Sequence, residues 1–483
     1  MVPLRSYVFM FVVTLYQQVH GQSLVEVFNN FVKDSAIAKA NNSLLALDLV
    51  SGDTLFNFQS DLPLITASTT KIFSTALALE VLGAEFRFKT ELYKEGIVKD
   101  SILKGNIWVR GLGDVSFGSR FFNQEGQETH ALEALIDALK EHGIKQVNGY
   151  IWIDGSAFGY AETPQGWSSW DAGNYYGAFP SGVNFYDNSV NYFFSTGRSG
   201  SKAKFLSTYP KQNALVLQNR IISARVQGDN TNLEGEAYHE TRLATGKLPV
   251  NQANYKVRGS VANPERNFAD ALAQVCLEQG FVVSKGVLGI KNRTLKIPDY
   301  DAISKITSLP GRTVREIVQW TNGKSVNFFA EGLLNGVAYH LTGCGSSANS
   351  IKVYREYLAL KMDTSNLRLY DGSGLSRLNR ISANHLCDFL TYIFHSDIFH
   401  TFKSSLPVAG NSGTLKELCK GQPGENRVFA KSGTMTGIKS YAGYVESISG
   451  RKIVFALISS GYSCNQSYVK QQMELLMNAL AAL

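Results

Sequence analysis

A stretch of short, strand-like segments at about residues 86–258 separates two ends of the chain that carry helical and hairpin patterns. Segments such as GNIWVRGLGD and GYIWIDGSAFG alternate apolar and polar residues between glycine turns, which is typical of β-strands. With 483 residues, 44% of them hydrophobic, the chain is too long for one ordinary domain. We therefore predict a mainly β region of two small subdomains at 86–258, inserted into a domain formed by 22–85 and 259–483.

The two ends predict an antiparallel sheet flanked by helices. A helical pattern covers 24–37, and two strand-like runs joined at Ser51-Gly52-Asp53 then predict a hairpin. Near the C-terminus, the apolar runs 441–445 and 453–459 predict adjacent antiparallel strands, and a last helical pattern covers 466–483. An interrupted antiparallel sheet with helices packed on it accounts for this order, so the fold class is predicted to be α+β.

The N-terminus, MVPLRSYVFMFVVTLYQQVHGQS, has the features of a secretory signal. One Arg precedes the apolar block 7–16, and small or polar residues follow at 19–21. The block has about ten residues, whereas a membrane helix needs roughly twenty. We expect residues 1–21 to be a cleaved signal peptide that leaves no membrane span, with the periplasm as the destination; an uncleaved signal is the alternative.

Charge and cysteine content exclude several classes of protein. The chain carries 47 basic and 40 acidic side chains, with no run of five like charges and no Arg-rich arm, so we expect no nucleic-acid partner. The five cysteines form no CxxC pair, which argues against a disulfide scaffold or a zinc knuckle and favours small buried hydrophobic residues. The eight histidines show no HxxxH-type spacing, and no metal or cofactor is expected.

A candidate nucleophile and base lie in the segment LITASTTKIFSTALALEVLG. On a helix, Ser68 and Lys71 are one turn apart and share a face, so a neutral lysine amine could take the serine proton. Burial or a nearby cation would lower the lysine pKa enough for this. The SxxK spacing occurs six times in the chain, however, and the alternative for Ser68 is an ordinary helix N-cap.

Two further motifs add specificity. Ser325-Val326-Asn327 lies at a predicted helix-helix junction, where a hydroxyl and an amide could pass protons and hold a carbonyl. Lys431-Ser432-Gly433 is the one K-[ST]-G match in the chain, and on a strand it could bind a carboxylate. Each motif alone is common or short, but SxxK, SxN and K-[ST]-G in this order point to acyl transfer on a serine.

With these three motifs, the sequence resembles the penicillin-recognising serine acyltransferases, specifically the class C low-molecular-mass penicillin-binding proteins. These are D-alanyl-D-alanine carboxypeptidase/endopeptidases, with a penicillin-recognising serine transpeptidase-like domain. The 257-residue step from Ser68 to Ser325 is typical of the family, which places large extra domains between these motifs. The supporting stretches include ASTTKIFSTALALEVLGAEFRFKTELY, LKGNIWVRGLGDVSFGS, SVNFFAEGLL, DGSGLSRLNRIS and AKSGTMTG.

The resemblance implies catalytic roles for residues of the first two motifs. Ser68 would be the nucleophile and Lys71 its base. Ser325 would relay a proton to the leaving amine, and Asn327 would hold the substrate backbone.

The third motif would bind the end of the substrate. Lys431 and Ser432 of the Lys431-Ser432-Gly433 motif would bind the terminal carboxylate, and the backbone N–H groups of Ser68 and Thr434 would form the oxyanion hole. The family usually has Thr at the position of Ser432. The hydroxyl is kept, so altered selectivity is the most that we expect.

A side-chain pocket is also implied. In relatives that have one, an Asp after a Gly-Trp and the Arg of DGSGLSR contact the diaminopimelate branch of the stem peptide. Asp171 and Arg377 hold these positions, with Tyr176 as the matching aromatic in place of Phe and Thr436 where a longer polar residue can occur. The alternative for Asp171 and Arg377 is an interdomain ion pair of structural importance.

The predicted function is a secreted serine D-Ala-D-Ala carboxypeptidase/DD-endopeptidase that acts on peptidoglycan stem peptides through an acyl-enzyme at Ser68. β-Lactams are expected to acylate the same serine. The alternatives are a β-lactamase or a D-amino-acid amidase or esterase of the same superfamily, and a non-catalytic cell-wall-binding protein.

Overall fold

The structure is a computed structural model that describes residues 23–160, 163–291, 293 and 295–483. The predicted signal peptide, residues 1–21, lies outside the described residues. The chain divides into two compact units. The first unit contains the described residues up to Thr66 together with Ile381–Thr391 and Leu406–Leu483, and the second contains Ala67–Arg380 and Tyr392–Ser405.

The helices are distributed along the whole described chain. They are Leu24–Lys33, Lys71–Val81, His130–Glu141, Ser169–Ala172, Pro264–Glu278, Val314–Lys324, Asn327–Thr342, Ser347–Ala359, Ala383–Phe394, Phe399–Ser405 and Gln466–Ala482.

The first unit is built on a five-stranded antiparallel sheet. Its strands, in spatial order, are Val428–Met435, Ile438–Glu446, Lys452–Ser460, Asn41–Asp48 and Thr54–Phe58. The N- and C-terminal helices share a core with this sheet, in which Phe31, Leu457 and Met473 are fully or almost fully buried. Both predicted hairpins and the predicted α+β class are therefore confirmed.

The N-terminal helix is shorter than predicted. It begins at Leu24 and ends at Lys33, four residues before the end of the helical pattern. The Asp34 carboxylate accepts the backbone N–H groups of Ala36 and Ile37 at 2.9 and 3.2 Å. Because these bonds satisfy the backbone in a turn, they compete with continuation of the helix.

The second unit contains a seven-stranded sheet. One path through it runs Val282–Val283, Gln146–Asn148, Ile102–Gly111, Arg87–Lys99 and Ser304–Thr313, and Tyr150–Asp154 pairs with both Ile102–Gly111 and Gly286–Gly289. This sheet takes strands from both sides of residue 258. The predicted division into 22–85, 86–258 and 259–483 stays a prediction.

The mainly β interpretation of 86–258 missed two helices, the short Ser169–Ala172 and the longer His130–Glu141. Leu132, Ile136 and Leu139 are buried at spacings of four and three residues, which is the helical period. The pattern was present in the sequence as HALEALIDALKE.

Two smaller sheets share a separate core in the second unit. A four-stranded sheet contains Ile222–Ala224, Thr241–Pro249, Asn230–Glu234 and Val216–Asn219, and a three-stranded sheet contains Tyr255–Ser260, Ser189–Ser195 and Lys204–Tyr209. Their common core includes the buried side chains of Tyr192, Leu233, Leu248 and Val257.

A helix buried on all sides carries the candidate base. Every residue from Lys71 to Leu79 is buried, so the helix has no exposed polar face. It packs against Val314–Lys324 and Asn327–Thr342. The predicted junction between these two helices is confirmed, because the first ends at Lys324 and the next residue, Ser325, adopts the left-handed conformation with φ of 60°.

The cysteines among the described residues are all free. Cys276, Cys387 and Cys419 are buried, as predicted, whereas Cys344 is exposed and Cys464 is partly exposed. In the part of the chain that the structure describes, we find no helix with the length and apolar character needed to cross a bilayer.

Candidate active site

Ser68 lies in a tight turn that leads directly into the buried helix. A 3-10 turn over Ala67–Thr70 continues into Lys71–Val81, which places Ser68 and Lys71 on one face. Ala67 adopts φ of 48°, and its carbonyl accepts the Thr70 hydroxyl at 2.9 Å. The N-cap position of the helix is Thr70, so the simple N-cap alternative does not describe Ser68.

Lys71 is the centre of the candidate site. Its Nζ lies 2.8 Å from Ser68 Oγ, 2.6 Å from Asn327 Oδ1 and 2.6 Å from the Ser373 carbonyl oxygen. Lys71 is fully buried, whereas Ser68 is partly exposed. The amine is therefore shielded from water while the serine hydroxyl can meet a substrate.

The surroundings favour a neutral amine. Burial lowers the pKa of Lys71 to about 7, although the charges of Asp371 and Glu331 act in the opposite direction. The neutral amine has two N–H groups and one lone pair. Because Asn327 Oδ1 and the Ser373 carbonyl can only accept, they take the two N–H groups and leave the lone pair directed at Ser68 Oγ. This geometry suits removal of the serine proton.

A buried turn holds the Ser373 carbonyl against Lys71. Glu331, on the helix that begins at Asn327, accepts the backbone N–H of Ser373 at 2.7 Å and that of Gly372 at 3.0 Å. The Gly372 carbonyl in turn accepts the Ser74 hydroxyl at 2.8 Å. Glu331 thus connects the Asn327 helix to the turn that orients the base.

Asp371 organises the same turn from within. Its fully buried carboxylate accepts the N–H groups of Gly374 and Ser376 at 3.0 and 2.7 Å, and the side-chain amide of Asn379 at 2.7 Å. Trp167 Nε1 donates to it at 2.9 Å. These donors compensate for the burial of the carboxylate.

Glu331 titrates differently from an exposed carboxyl. Its burial and the nearby charge of Asp371 raise its pKa to about 8, against the effect of its hydrogen bonds to Gly372 and Ser373. Glu331 also acts on the base, because its charge raises the pKa of the buried Lys71 amine.

The side-chain amide of Asn327, the last residue of the SxN motif, lies close to Lys71. Asn327 Oδ1 accepts from Lys71, and Asn327 Nδ2 donates to the Tyr176 carbonyl at 2.8 Å. Ser325 lies two residues before it, in the left-handed turn between the two helices. Both ends of the Asn327 amide have partners within the protein, and its role in substrate binding stays a prediction.

The third motif lies on the strand Val428–Met435 of the first unit. Lys431 is fully buried and donates to the Ser432 carbonyl at 2.8 Å, and the Ser432 hydroxyl donates to Thr414 Oγ1 at 2.8 Å. Gly433 and Thr434 follow on the same strand, where Thr434 pairs with Lys439. Lys439 Nζ donates to Thr434 Oγ1 at 2.7 Å.

The candidate side-chain pocket residues lie in two separate segments of the second unit, Asp171 in the short helix Ser169–Ala172 and Arg377 in a turn. Asp171 accepts the Ser168 hydroxyl at 2.7 Å, and burial together with the charge of Asp171 raises the pKa of Tyr176 to about 12. Arg377 is exposed, and its carbonyl accepts from Arg380 at 2.9 Å. Among the described residues, no ion pair within 4.0 Å joins Asp171 to Arg377. The alternative of a structural ion pair between them is therefore not seen, and their role in binding stays a prediction.

Sequence reasoning missed the groups that support the base. Glu331, Asp371 and the Ser373 carbonyl received no role, although their segments, SVNFFAEGLL and DGSGLSR, were singled out. The available signal was Glu331 itself, four residues after Asn327 and hence on the same helix face. A buried charge at that place predicts a polar partner beside the motif.

Comparisons with known proteins identify a family that the chain matches. A sequence profile of the family described as D-Ala-D-Ala carboxypeptidase 3 (S13) matches residues 24–482. The D-alanyl-D-alanine carboxypeptidase of Actinomadura sp. (strain R39) is 27% identical over 452 residues, which cover 91% of this chain and 81% of that protein.

Solved structures are similar in fold. The crystal structure of penicillin binding protein 4 (dacB) from Haemophilus influenzae has a TM-score of 0.77 and 19% identity, covering 95% of this chain and 98% of that one. A crystal structure of the same protein complexed with a novel beta-lactam has a TM-score of 0.74, with the same identity and coverage.

Proposed function

The chain belongs to the D-Ala-D-Ala carboxypeptidase 3 (S13) family, and we propose that it cleaves peptidoglycan stem peptides through an acyl-enzyme on Ser68. Membership of this family makes the protein a D-alanyl-D-alanine carboxypeptidase, which is a serine peptidase. The observation that supports Ser68 as the nucleophile is its contact with Lys71, a fully buried amine 2.8 Å away.

The proposed acylation begins with proton transfer from Ser68 Oγ to the Lys71 amine. Ser68 Oγ attacks the carbonyl carbon of the penultimate D-Ala, and the tetrahedral oxyanion forms. Ser325 relays the proton that Lys71 took from Ser68 to the departing nitrogen as the C–N bond breaks, and D-Ala leaves with its amine while Lys71 becomes neutral again. Water then hydrolyses the ester, which releases the shortened peptide as its carboxylic acid and restores the Ser68 hydroxyl.

For the third motif we propose a role in substrate binding. Lys431 and Ser432 supply a cation and a hydroxyl suited to the carboxylate of the terminal D-Ala, and Gly433 and Thr434 supply strand backbone beside them. Loss of this carboxylate interaction would therefore raise KM for stem peptides.

We also propose the finer activities that the family resemblance implies. DD-endopeptidase activity would follow if the leaving amine belongs to a cross-linked stem peptide rather than to free D-Ala. Inhibition by β-lactams would follow because their strained amide acylates the same serine. The relative that was crystallised with a beta-lactam supports this proposal. A periplasmic location is proposed from the signal at residues 1–21.

The test compares Ser68→Ala with Ser199→Ala in the purified protein. Ser199 is an exposed serine that also begins an SxxK match, so it is a matched control. We expect Ser68→Ala to abolish release of D-Ala from a stem pentapeptide and covalent labelling by fluorescent penicillin. Ser199→Ala should retain both. Full labelling of Ser68→Ala would refute the assignment of the nucleophile.

Product analysis separates the remaining activities. Defined muropeptides, monomeric and cross-linked, would be incubated with the protein and their products identified by mass. Loss of one D-Ala shows carboxypeptidase activity, and conversion of dimers to monomers shows endopeptidase activity. Rapid steady-state turnover of nitrocefin in place of stoichiometric labelling would identify a β-lactamase instead.

A further inference from the structure

A cluster of basic side chains lies where backbone segments of the three-stranded and four-stranded sheets adjoin in the second unit. Residues 188–228 contain six basic residues and no acidic one. Three of the six, Lys202, Lys204 and Arg220, lie on neighbouring backbone segments, and Lys247 lies on the adjoining strand. We call these four residues, together with Ile222, the basic face.

Strand register brings the basic face together. Lys202 forms a bridge with Ile222, and Ile222 pairs with Lys247 on its other side. The Ala203 N–H donates to the Ile221 carbonyl at 2.9 Å. The antiparallel pairing of these two segments therefore continues by one residue, which brings Lys204 opposite Arg220. Side chains at paired positions lie on the same face with Cβ atoms about 5 Å apart. Ile222 therefore lies between two lysines.

Burial alternates along these segments as a sheet requires. Ala203, Ile221, Ser223 and Leu248 are buried on the inner face. The side chains of the basic face are exposed, including Ile222 at 38%. Because successive side chains of a strand point to opposite faces, the cations lie on the exposed face, opposite the buried residues.

The cations have little local compensation. None of the four makes an ion pair within 4.0 Å with another described residue. After Arg220, the next acidic residue in the sequence is Asp229. Its carboxylate oxygen Oδ1 already accepts the N–H and the hydroxyl of Thr231, at 2.9 and 2.5 Å. Four like charges around one exposed apolar side chain are unfavourable for the isolated protein.

We propose that the basic face docks the protein on an anionic phospholipid surface. Cations on a planar face attract anionic headgroups, with roughly fivefold tighter binding for each Lys or Arg near the surface. Ile222 is placed to enter the boundary between headgroups and acyl chains while the surrounding cations contact phosphates. This apolar centre favours a lipid surface over a soluble anionic polymer, which offers phosphates but no apolar layer.

The test measures binding of the exported chain, residues 22–483, to vesicles in a flotation assay. One set of vesicles contains phosphatidylglycerol and phosphatidylcholine, and the other contains phosphatidylcholine alone. We expect binding to the anionic set that weakens as salt rises. The triple variant Lys202→Gln/Lys204→Gln/Lys247→Gln should bind about 100-fold more weakly.

A second triple variant controls for net charge. Lys39→Gln/Lys145→Gln/Lys416→Gln removes the same number of exposed lysines from three separate turns or bends, and it should bind within about threefold of the parent protein. Penicillin labelling and melting temperature show whether each variant remains folded. An equal loss in both triple variants would mean that only net charge matters and would overturn the proposal.

Ile222→Ser tests the choice of a lipid surface. We expect about threefold weaker binding to anionic vesicles and unchanged binding to soluble linear polyphosphate. If Ile222→Ser leaves vesicle binding unchanged while the parent protein binds polyphosphate as tightly as vesicles, the face binds a polyanion and the lipid proposal is wrong. Equal binding to both vesicle sets would also refute it.

Discussion

The carbonyl oxygen of Ser373 lies 2.6 Å from Lys71 Nζ, although the two residues are 302 positions apart in the chain. This contact, together with that to Asn327, consumes the two N–H groups of a neutral lysine and directs its lone pair to Ser68. The Ser373 carbonyl is itself held by the Glu331 carboxylate through the adjacent backbone N–H. The reactivity proposed for Lys71 thus depends on a turn that carries no catalytic group of its own.

Replacement of the proposed base is expected to abolish acylation. Lys71→Met keeps the length and burial of the side chain but has no proton acceptor of comparable strength. We expect the rate of penicillin labelling to fall by at least about 10³-fold. Lys104→Met, at an exposed lysine of another SxxK match, is the control and should label at the parent rate. A tenfold or smaller loss in Lys71→Met would exclude Lys71 as the base.

The rate of acylation should depend on pH through Lys71. The pKa of this amine is lowered to about 7 by burial, and only the neutral form accepts a proton. We therefore expect kcat/KM for a stem peptide to be nearly constant above pH about 7 and to fall about tenfold for each pH unit below it. The profile is measured with initial rates of D-Ala release. A profile flat down to pH 5 would contradict a neutral Lys71 as the base.

Glu331 should have a small effect on the position of that acid limb. Its negative charge raises the pKa of Lys71, but its own pKa of about 8 leaves the carboxyl neutral in most molecules at pH 7. Removal of the charge should therefore lower the pKa of Lys71 only slightly. In Glu331→Gln, the amide oxygen can still accept the Ser373 N–H, and the acid limb of kcat/KM should move slightly to lower pH. The exposed Glu356→Gln is the control and should leave the profile unchanged. A shift of the limb to higher pH in Glu331→Gln would contradict the electrostatic role.

Gly374 should be required by its contact with the Ser68 turn. A Cβ at this position would lie 2.0 Å from the Ala67 carbonyl oxygen, at φ of +83°. Gly374→Ala should therefore lower the melting temperature and slow penicillin labelling, with a destabilisation about 1–3 kcal/mol larger than that of a control.

The control is Gly343→Ala. Gly343 has a similar φ of +74°, but a Cβ there would meet nothing within 4 Å. It measures the cost of the left-handed conformation alone, about 1 kcal/mol. Equal losses in the two variants would show that the contact with Ala67 is unimportant.

Asp171 is expected to affect selectivity rather than chemistry. If its carboxylate contacts the ammonium of a diaminopimelate branch, Asp171→Asn should reduce kcat/KM for such peptides by about 10-fold to 100-fold. Activity on a peptide with alanine at the third position serves as the internal control and should not change. Equal losses on both peptides would indicate a structural role for Asp171.

Local signals in the sequence were sufficient for the elements that carry the motifs. The period of the apolar residues Ile72, Phe73, Ala76, Leu77, Leu79 and Leu82 is enough to predict the helix after Ser68. Glycine and polar turns predicted the two hairpins, and the spacing around Ser325 predicted a junction between helices. Where a local polar group competed with the pattern, as Asp34 does at the end of the first helix, the prediction overran by four residues. These features depend on neighbours within one or two turns, which a single sequence records.

The identity of Ser68 and Lys71 as a pair was likewise determined by the sequence, since a helix places residues three apart on one face. Only the tertiary structure decided that Lys71 is fully buried, that the Ser373 carbonyl and Asn327 take its hydrogens, and that Glu331 and Asp371 lie near enough to affect its pKa. The physical reason is that burial and charge act through space. Groups hundreds of residues apart set the protonation of one amine, and the spacing of residues along a chain carries no record of those distances.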